Sequence, residues 1–420
     1  MRPPRLRPRP VHRRSAADRL AATARLLRPS GDTSQSLVAL ALNSSTSFVA
    51  GLILASITGT LDQLPGLLVL VPAAIGLRGN VFSALGSRLS TAIHIGTFRF
   101  SARADSVLLQ NVAASMVLTL SVSLLLAMGA KALAVALGLM PASLGDLILV
   151  AVLGGALASL VVLGATLLLT LGAVRFGWDL DNLVAPIVST LGDVLTIPAL
   201  WVAAQLVGLP YVTPSLTLLL VAATVVSLAM TWRARRTVLR RIVWESLPVL
   251  TAAGVLSMLA GVALEKQLEI FNTYKALYLL ELAFVSSAGA LGSILSNRLA
   301  TGFQLGTMEP ESRPDRAARQ ATTAVLALAV PVMLFNAVGA QVVAVLTGQT
   351  TPGLARLVVT ALVAGAATML FVVTVAYYGT LAAFRVGLDP DSYGVPLVTS
   401  SVDFVGALAL VVTLISFHIT

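Results

Sequence analysis

Two aspartates, Asp193 and Asp403, each lie about ten residues inside a long apolar stretch of this 420-residue chain. A carboxylate at that depth in a membrane span costs roughly 2.5–3.5 kcal/mol on insertion scales. Here the cost is incurred twice, at positions related by an internal duplication. Two carboxylates that face each other repel, so one must be protonated unless a cation sits between them. A divalent cation removes that conflict, and the pair therefore reads as part of a cation path. The structural alternatives are an Asp–Arg pair or an aspartate kept neutral by a hydroxyl. Arg78 is the one arginine deep in an apolar stretch, which weakens the first.

The available ligand types narrow the ion. There is no cysteine, and the three histidines are His12, His94 and His418. Thiolate and imidazole sites of the kind that favour zinc or copper are therefore not expected, whereas sparse oxygen ligands suit a hard cation such as Mg²⁺. Mg²⁺ keeps several of its waters and needs only one or two carboxylates. Ser189 and Thr399 lie four residues before the two aspartates, one helical turn away on the same face. Their hydroxyls could touch ion-bound water, or could bond back to their own helices. Pro186 and Pro396 stand just upstream and could free backbone carbonyls. Asp179, Asp181, Asp389 and Asp391 form two acidic clusters that could concentrate cations at a cytoplasmic mouth. Helix capping is an equal reading of them. Asp62 and Glu265 could play a similar part at outer ends.

The elements that must position these residues are membrane helices. The chain is 57% hydrophobic with a mean hydropathy of +0.92, and only 11% of its residues are charged. So much apolar surface calls for lipid as solvent. Apolar stretches run over 36–60, 65–95, 106–138, 144–174, 183–208, 214–232, 246–264, 274–300, 318–347, 353–384 and 393–418, which predicts an all-α integral membrane protein with about eleven spans. The second and eighth contain polar and small residues and are expected to be broken or only partly membranous. The net charge of +10 resides in short segments between the stretches, so a membrane rather than a nucleic acid is the expected partner. With the N-terminus inside, 24 of the 28 Lys and Arg residues face the cytoplasm. That orientation leaves the C-terminus outside a cell membrane. Residues 1–35, with nine arginines, read as a disordered cytoplasmic tail rather than a cleaved signal peptide.

The duplication has a constant offset. Ser83–Thr97 matches Ser293–Thr307 at seven of fifteen positions, and Arg175, Gly177, Asp179, Asp181, Pro186 and Asp193 fall on Arg385, Gly387, Asp389, Asp391, Pro396 and Asp403. Each half holds five spans, so a simple fusion would invert the second copy. The additional stretch at 214–232 returns the chain to the inside. The expected organisation is a first five-helix repeat at 36–208, a linker helix and basic loop at 209–241, and a second repeat at 242–420. The two repeats are then parallel, in a 5+1+5 arrangement, and transporters place their sites at such repeat interfaces.

These residues carry a resemblance. The string Leu70-Val-Pro-Ala-Ala-Ile-Gly-Leu-Arg-Gly-Asn80, running into Ser87-Arg-Leu-Ser-Thr-Ala92, resembles the MgtE and solute carrier 41 group of magnesium transporters. So do Asp181-Asn-Leu-Val-Ala-Pro186 with Gly192-Asp193, Trp244-Glu245, and Asp389-Pro-Asp-Ser392 with Asp403. The bacterial members are homodimers of five-span subunits, and the solute carrier members are similar to such a dimer fused into one chain. The resemblance implies that Asp193 and Asp403 are pore aspartates holding hydrated Mg²⁺, and that Asn80 lines the path. Ala290 stands where the second half should carry a matching asparagine, so asymmetry is expected at that layer. A fused pseudo-dimer makes a monomer sufficient. Gating by a cytosolic sensor domain is not expected of this chain.

Two other readings compete. Intramembrane aspartyl proteases also pair aspartates, and Leu191-Gly192-Asp193 and Pro198-Ala-Leu200 echo their motifs. Thr190 and Val402 stand where those motifs need other residues, Pro198 follows its aspartate too closely, and both aspartates lie in duplicated contexts. An enzyme is therefore not expected. A proton- or sodium-coupled carrier of another solute could use the same two aspartates.

Overall fold

The computed structural model describes residues 31–99, 101, 103, 106–176, 180–233, 237–386 and 395–417; the side chains of 31–35, 180–186, 189, 237 and 395–397 fall outside that description. The described residues form helices joined by short loops. In chain order they are α1 (Gly31–Ser56), α2 (Thr58–Gln63), α3 (Leu67–His94), α4 (Val107–Ala136), α5 (Leu144–Phe176), α6 (Leu180–Ala204) and α7 (Val212–Arg233). Then follow α8 (Thr237–Glu265), α9 (Leu268–Thr273), α10 (Ala276–Gln304), α11 (Arg316–Leu346), α12 (Leu354–Val386) and α13 (Val395–Ser416). Helices are the expected response to lipid, because each satisfies its own backbone hydrogen bonds. Ten of them are long and apolar enough to cross a membrane, and α6 adds a shorter apolar piece at Thr190–Ala204. The protein is an all-α, multi-pass membrane protein.

Several helices start on side-chain caps. Ser106 Oγ accepts from the Leu109 amide at 3.1 Å, and Asp315 Oδ1 accepts from the Ala318 amide at 2.7 Å. Each cap satisfies one of the orphan donors at a helix N-terminus. Pro396 is the second residue of α13, in the first turn, where the missing N–H costs nothing. A π-helical turn at Leu149–Leu153 interrupts α5.

The expected break in the second and eighth apolar stretches is not present. Both α3 and α10 are continuous, over 28 and 29 residues. Their polar and small residues face protein neighbours rather than lipid, so no break is needed to shelter them. Arg78, which charge placement assigned to the cytoplasmic side, is instead 1% exposed in the middle of α3.

Helix bounds recur at the offset of the sequence duplication, α2 with α9 and α5 with α12 to the residue. The first helices pack away from their own neighbours in sequence: α1 lies against α10 and α11, and α8 lies against α3 and α4. One hydrophobic core accordingly groups α1 chiefly with α10–α13, and the other groups α8 with α3–α5. Glycine makes both crossings close. A Cβ on Gly51 would sit 2.6 Å from Leu279 Cα, and one on Gly261 would sit 2.6 Å from Val69 Cα. Backbones approach this closely in membranes where the interface residues are small. Helix α7 buries little of itself and exposes Leu218, Leu219, Val226 and Met230, as a lipid-facing helix does.

Candidate functional site

Asp193 sits on α6 and Asp403 on α13, and each is aimed at two further helices. Asp193 is 9% exposed. Its Oδ2 accepts from Ser286 Oγ of α10 at 3.5 Å, and α1, which carries Ser47, packs against α6. Asp403 is half-buried, and its Oδ2 accepts from Ser257 Oγ of α8 at 2.8 Å. A Cβ on Gly76 of α3 would lie 3.9 Å from the same oxygen. Ser47 and Ser257 are counterparts in the duplication, as are Gly76 and Ser286. Each aspartate therefore meets one helix of its own half and one of the other.

The surroundings are not symmetric. Asn43 Nδ2 donates to Ser286 Oγ at 2.9 Å, and the Ser286 hydroxyl reaches Asn43 Oδ1 at 3.3 Å as well as Asp193. Ser44 and Ser287 share a bond at 2.9 Å, and Asn336 Nδ2 donates to Ser287 Oγ at 3.1 Å. In the other half the counterparts of Asn43, Ser44, Ser287 and Asn336 are Ala253, Gly254, Leu77 and Leu126. A polar network thus backs Asp193, while apolar packing backs Asp403.

A Cβ added to Gly79 of α3 or to its counterpart Gly289 of α10 would meet nothing within 4 Å, although Gly289 is buried. Asn80 is half-buried on α3, one turn along from Gly76 and therefore on the face that looks towards Asp403. Ala290 packs against the apolar core, so the layer does lack a second amide.

Thr399 is half-buried one turn before Asp403. Ser189 holds the matching place on α6, and its side chain lies outside the described residues, as does that of Asp181. Asp179, Asp389 and Asp391 lie outside them altogether, and so does His418. His94 Nδ1 contacts the carbonyl of Ser90 in its own helix at 3.0 Å. Asp62 and Glu265 line a cleft of about 650 Å³ together with Lys266, Glu269 and Asn272. Asp62 accepts from Asn272 Nδ2 at 3.0 Å, and Glu265 accepts from the Gly66 amide at 2.8 Å at the start of α3.

An Asp–Arg pair is not what holds the aspartates among the described residues, where the one ion pair is Arg241–Glu245 at 2.7 Å. Arg78 donates through Nη1 to the Ala74 carbonyl, and its Nε and Nη2 are buried without a partner. One charged participant escapes the repeat pattern. Glu281 of α10 is 3% exposed, and its counterpart is Val71. The signal that marks it is a carboxylate inside the apolar run Tyr278–Phe284. Ser47, Ser257 and Ser286 carry no such signal, because a serine in a membrane helix ordinarily bonds back to its own backbone.

Among the described residues no three His, Asp or Glu side chains could together hold a bare metal ion. Two carboxylates among hydroxyl and amide oxygens can instead hold a cation through its bound waters.

A family model described as a divalent cation transporter, MgtE, matches residues 71–203 and 282–413. Solute carrier family 41 member 2 of Xenopus laevis is 25% identical, over 92% of this chain and 73% of that one. The human member 2 is 25% identical over 83% of this chain, which spans 63% of its length. Member 3 of Rattus norvegicus is 23% identical over 90% of this chain and 86% of its own. Among solved structures, the eukaryotic MATE transporter AtDTX14 aligns at a TM-score of 0.31 and 11% identity, too distant to bear on the fold.

Proposed function

This chain belongs to the MgtE family of divalent cation transporters, and we propose that its ion is Mg²⁺, held with its water between Asp193 and Asp403. It is a transporter rather than an enzyme. The observation that carries the ion assignment is the chemistry around the pair. The carboxylates on α6 and α13 each accept from a serine hydroxyl, and the hydroxyl at Asp193 is itself bonded to the Asn43 amide. Thiolate ligands are absent from the chain, since it has no cysteine. A hard, strongly hydrated cation is what such a site holds best.

In this reading the ion path runs between two parallel five-helix repeats, 36–208 and 242–420, joined by a linker at 209–241. The recurrence of helix bounds and the exchange of α1 and α8 support that organisation. Asn80 lines the path beside Gly79. Ser189 and Thr399 contact ion-bound water one turn below the aspartates. Asp179, Asp181, Asp389 and Asp391 draw cations to the cytoplasmic mouth. The Lys and Arg distribution supports an orientation with the N-terminus inside a cell membrane and the C-terminus outside. One chain supplies both aspartates, so a monomer suffices.

Mg²⁺ flux into proteoliposomes tests this reading. Wild type should carry Mg²⁺, and Asp193→Asn and Asp403→Asn should each abolish the flux while the protein remains folded. Full flux in both variants would place the ion elsewhere. Flux of another solute without Mg²⁺ would favour a coupled carrier built on the same residues.

A further inference from the structure

The side chain of Glu281 is buried in an apolar helix. It lies in the second turn of α10, beyond the first turn in which a helix dipole favours anions, and is 3% exposed. Among the described residues it has no ion-pair partner. An unpaired buried charge is costly, and such residues in spans mark ion pathways. Its place in the duplication belongs to Val71, so the shared scaffold does not require a carboxylate there.

Position supplies the rest. Glu281 is carried by α10, which packs along α13, the helix of Asp403. One turn earlier on the same face is Tyr278, whose hydroxyl donates to Asn272 Oδ1 at 3.0 Å. Asn272 donates in turn to Asp62 at 3.0 Å, and both line the acidic cleft with Glu265 and Glu269. Tyr278 and Asn272 thus join the turn of α10 before Glu281 to the cleft.

We propose that Glu281 is a cation-holding carboxylate of the path, giving a hydrated divalent ion a stopping place between the acidic cleft and the Asp193–Asp403 pair. This rests on the transport reading above and adds a second position to it. It also makes the path chemically one-sided. The second half lacks the amide of Asn80 at Ala290 and carries the additional carboxylate instead.

The test is the Mg²⁺ dependence of flux in proteoliposomes, with Mg²⁺-dependent thermal stabilisation of the same full-length protein in detergent. Glu281→Gln keeps the shape and removes the charge. The half-saturating Mg²⁺ concentration should rise on the order of tenfold, as loss of one charge-assisted contact implies. Glu281→Asp should restore part of the difference. Should the glutamine variant fail to fold, Glu281→Val repeats the measurement with the side chain that the other half carries at this place. Titrations of Glu281→Gln or Glu281→Val that superimpose on wild type, while Asp193→Asn and Asp403→Asn lose flux, would overturn the role of Glu281 and leave the transport reading intact. A folded wild type that shows neither Mg²⁺ flux nor Mg²⁺ stabilisation would overturn both.

Discussion

A leucine at Gly289 should leave the protein folded and stop it transporting. Gly289 is buried in α10, yet an added Cβ there meets no atom within 4 Å. Alanine therefore enters without a clash and gains the roughly 0.5–1 kcal/mol by which alanine exceeds glycine inside a helix. Leucine extends the same vector further into that open space, which the transport reading assigns to the path. Each tenfold loss of flux corresponds to about 1.4 kcal/mol of added barrier, and a side chain filling the path should cost at least one such step. Gly51 supplies the contrast, since its Cβ would sit 2.6 Å from Leu279 Cα and 2.8 Å from the Tyr278 carbonyl. Backbone cannot move aside as a side-chain tip can, so Gly51→Ala should destabilise by about 1–3 kcal/mol, as overpacking does. Thermal unfolding in detergent reads the stability of all three variants, and proteoliposome flux reads the function of those that fold. Unchanged flux in a folded Gly289→Leu protein would show that the space is not on the path. A loss of stability in Gly289→Ala equal to that of Gly51→Ala would refute the geometry itself.

Other perturbations separate the parts of the site. Ser257→Ala removes the 2.8 Å bond to Asp403; a hydrogen bond to a charged group contributes about 1.5–3 kcal/mol, so half-saturating Mg²⁺ should rise with the fold retained. Unaltered Mg²⁺ dependence would mean that the hydroxyl only packs. Arg78→Met replaces a buried guanidinium that leaves Nε and Nη2 without partners. Exchanging unsatisfied buried charge for apolar volume is neutral or stabilising by about 1–4 kcal/mol, so thermal stability should hold or rise; a fall would reveal a partner for the guanidinium. Tyr278→Phe breaks the link to Asn272 and should cost about 0.5–1.5 kcal/mol, the net worth of a typical hydrogen bond, measured by the same unfolding assay.

Most of the fold is legible in the sequence because lipid imposes a simple demand. A run of about 20 apolar residues must become a helix that bonds to itself, and such runs can be counted. The polar residues of α3 and α10 defeat the same count. Arg78, Gly79 and Asn80, like Ser286 and Ser287, look like interruptions in a window of hydropathy. They are continuous helix because their neighbours are α6, α8, α13 and α1 rather than lipid. Asp193 and Asp403 stand out because a repeated carboxylate in an apolar run is rare. Glu281 is equally deep in burial and is not repeated, so the duplication that exposes the aspartates passes over it.

The chain's composition and its 210-residue repeat determine the membrane class, the helices and the two carboxylates, because hydropathy and spacing are properties of single segments. What faces those carboxylates is a property of pairs of segments distant in sequence. Ser257 reaches Asp403 across 146 positions, and Ser286 reaches Asp193 across 93. Only the packing of α1 on α10 and of α8 on α3, made close by Gly51 and Gly261, brings those oxygens together. The same packing decides that one aspartate is backed by an amide and hydroxyl network and the other by leucine. Local patterns repeat, but residues that meet across a helix interface need not, and the asymmetry of the site resides in that difference.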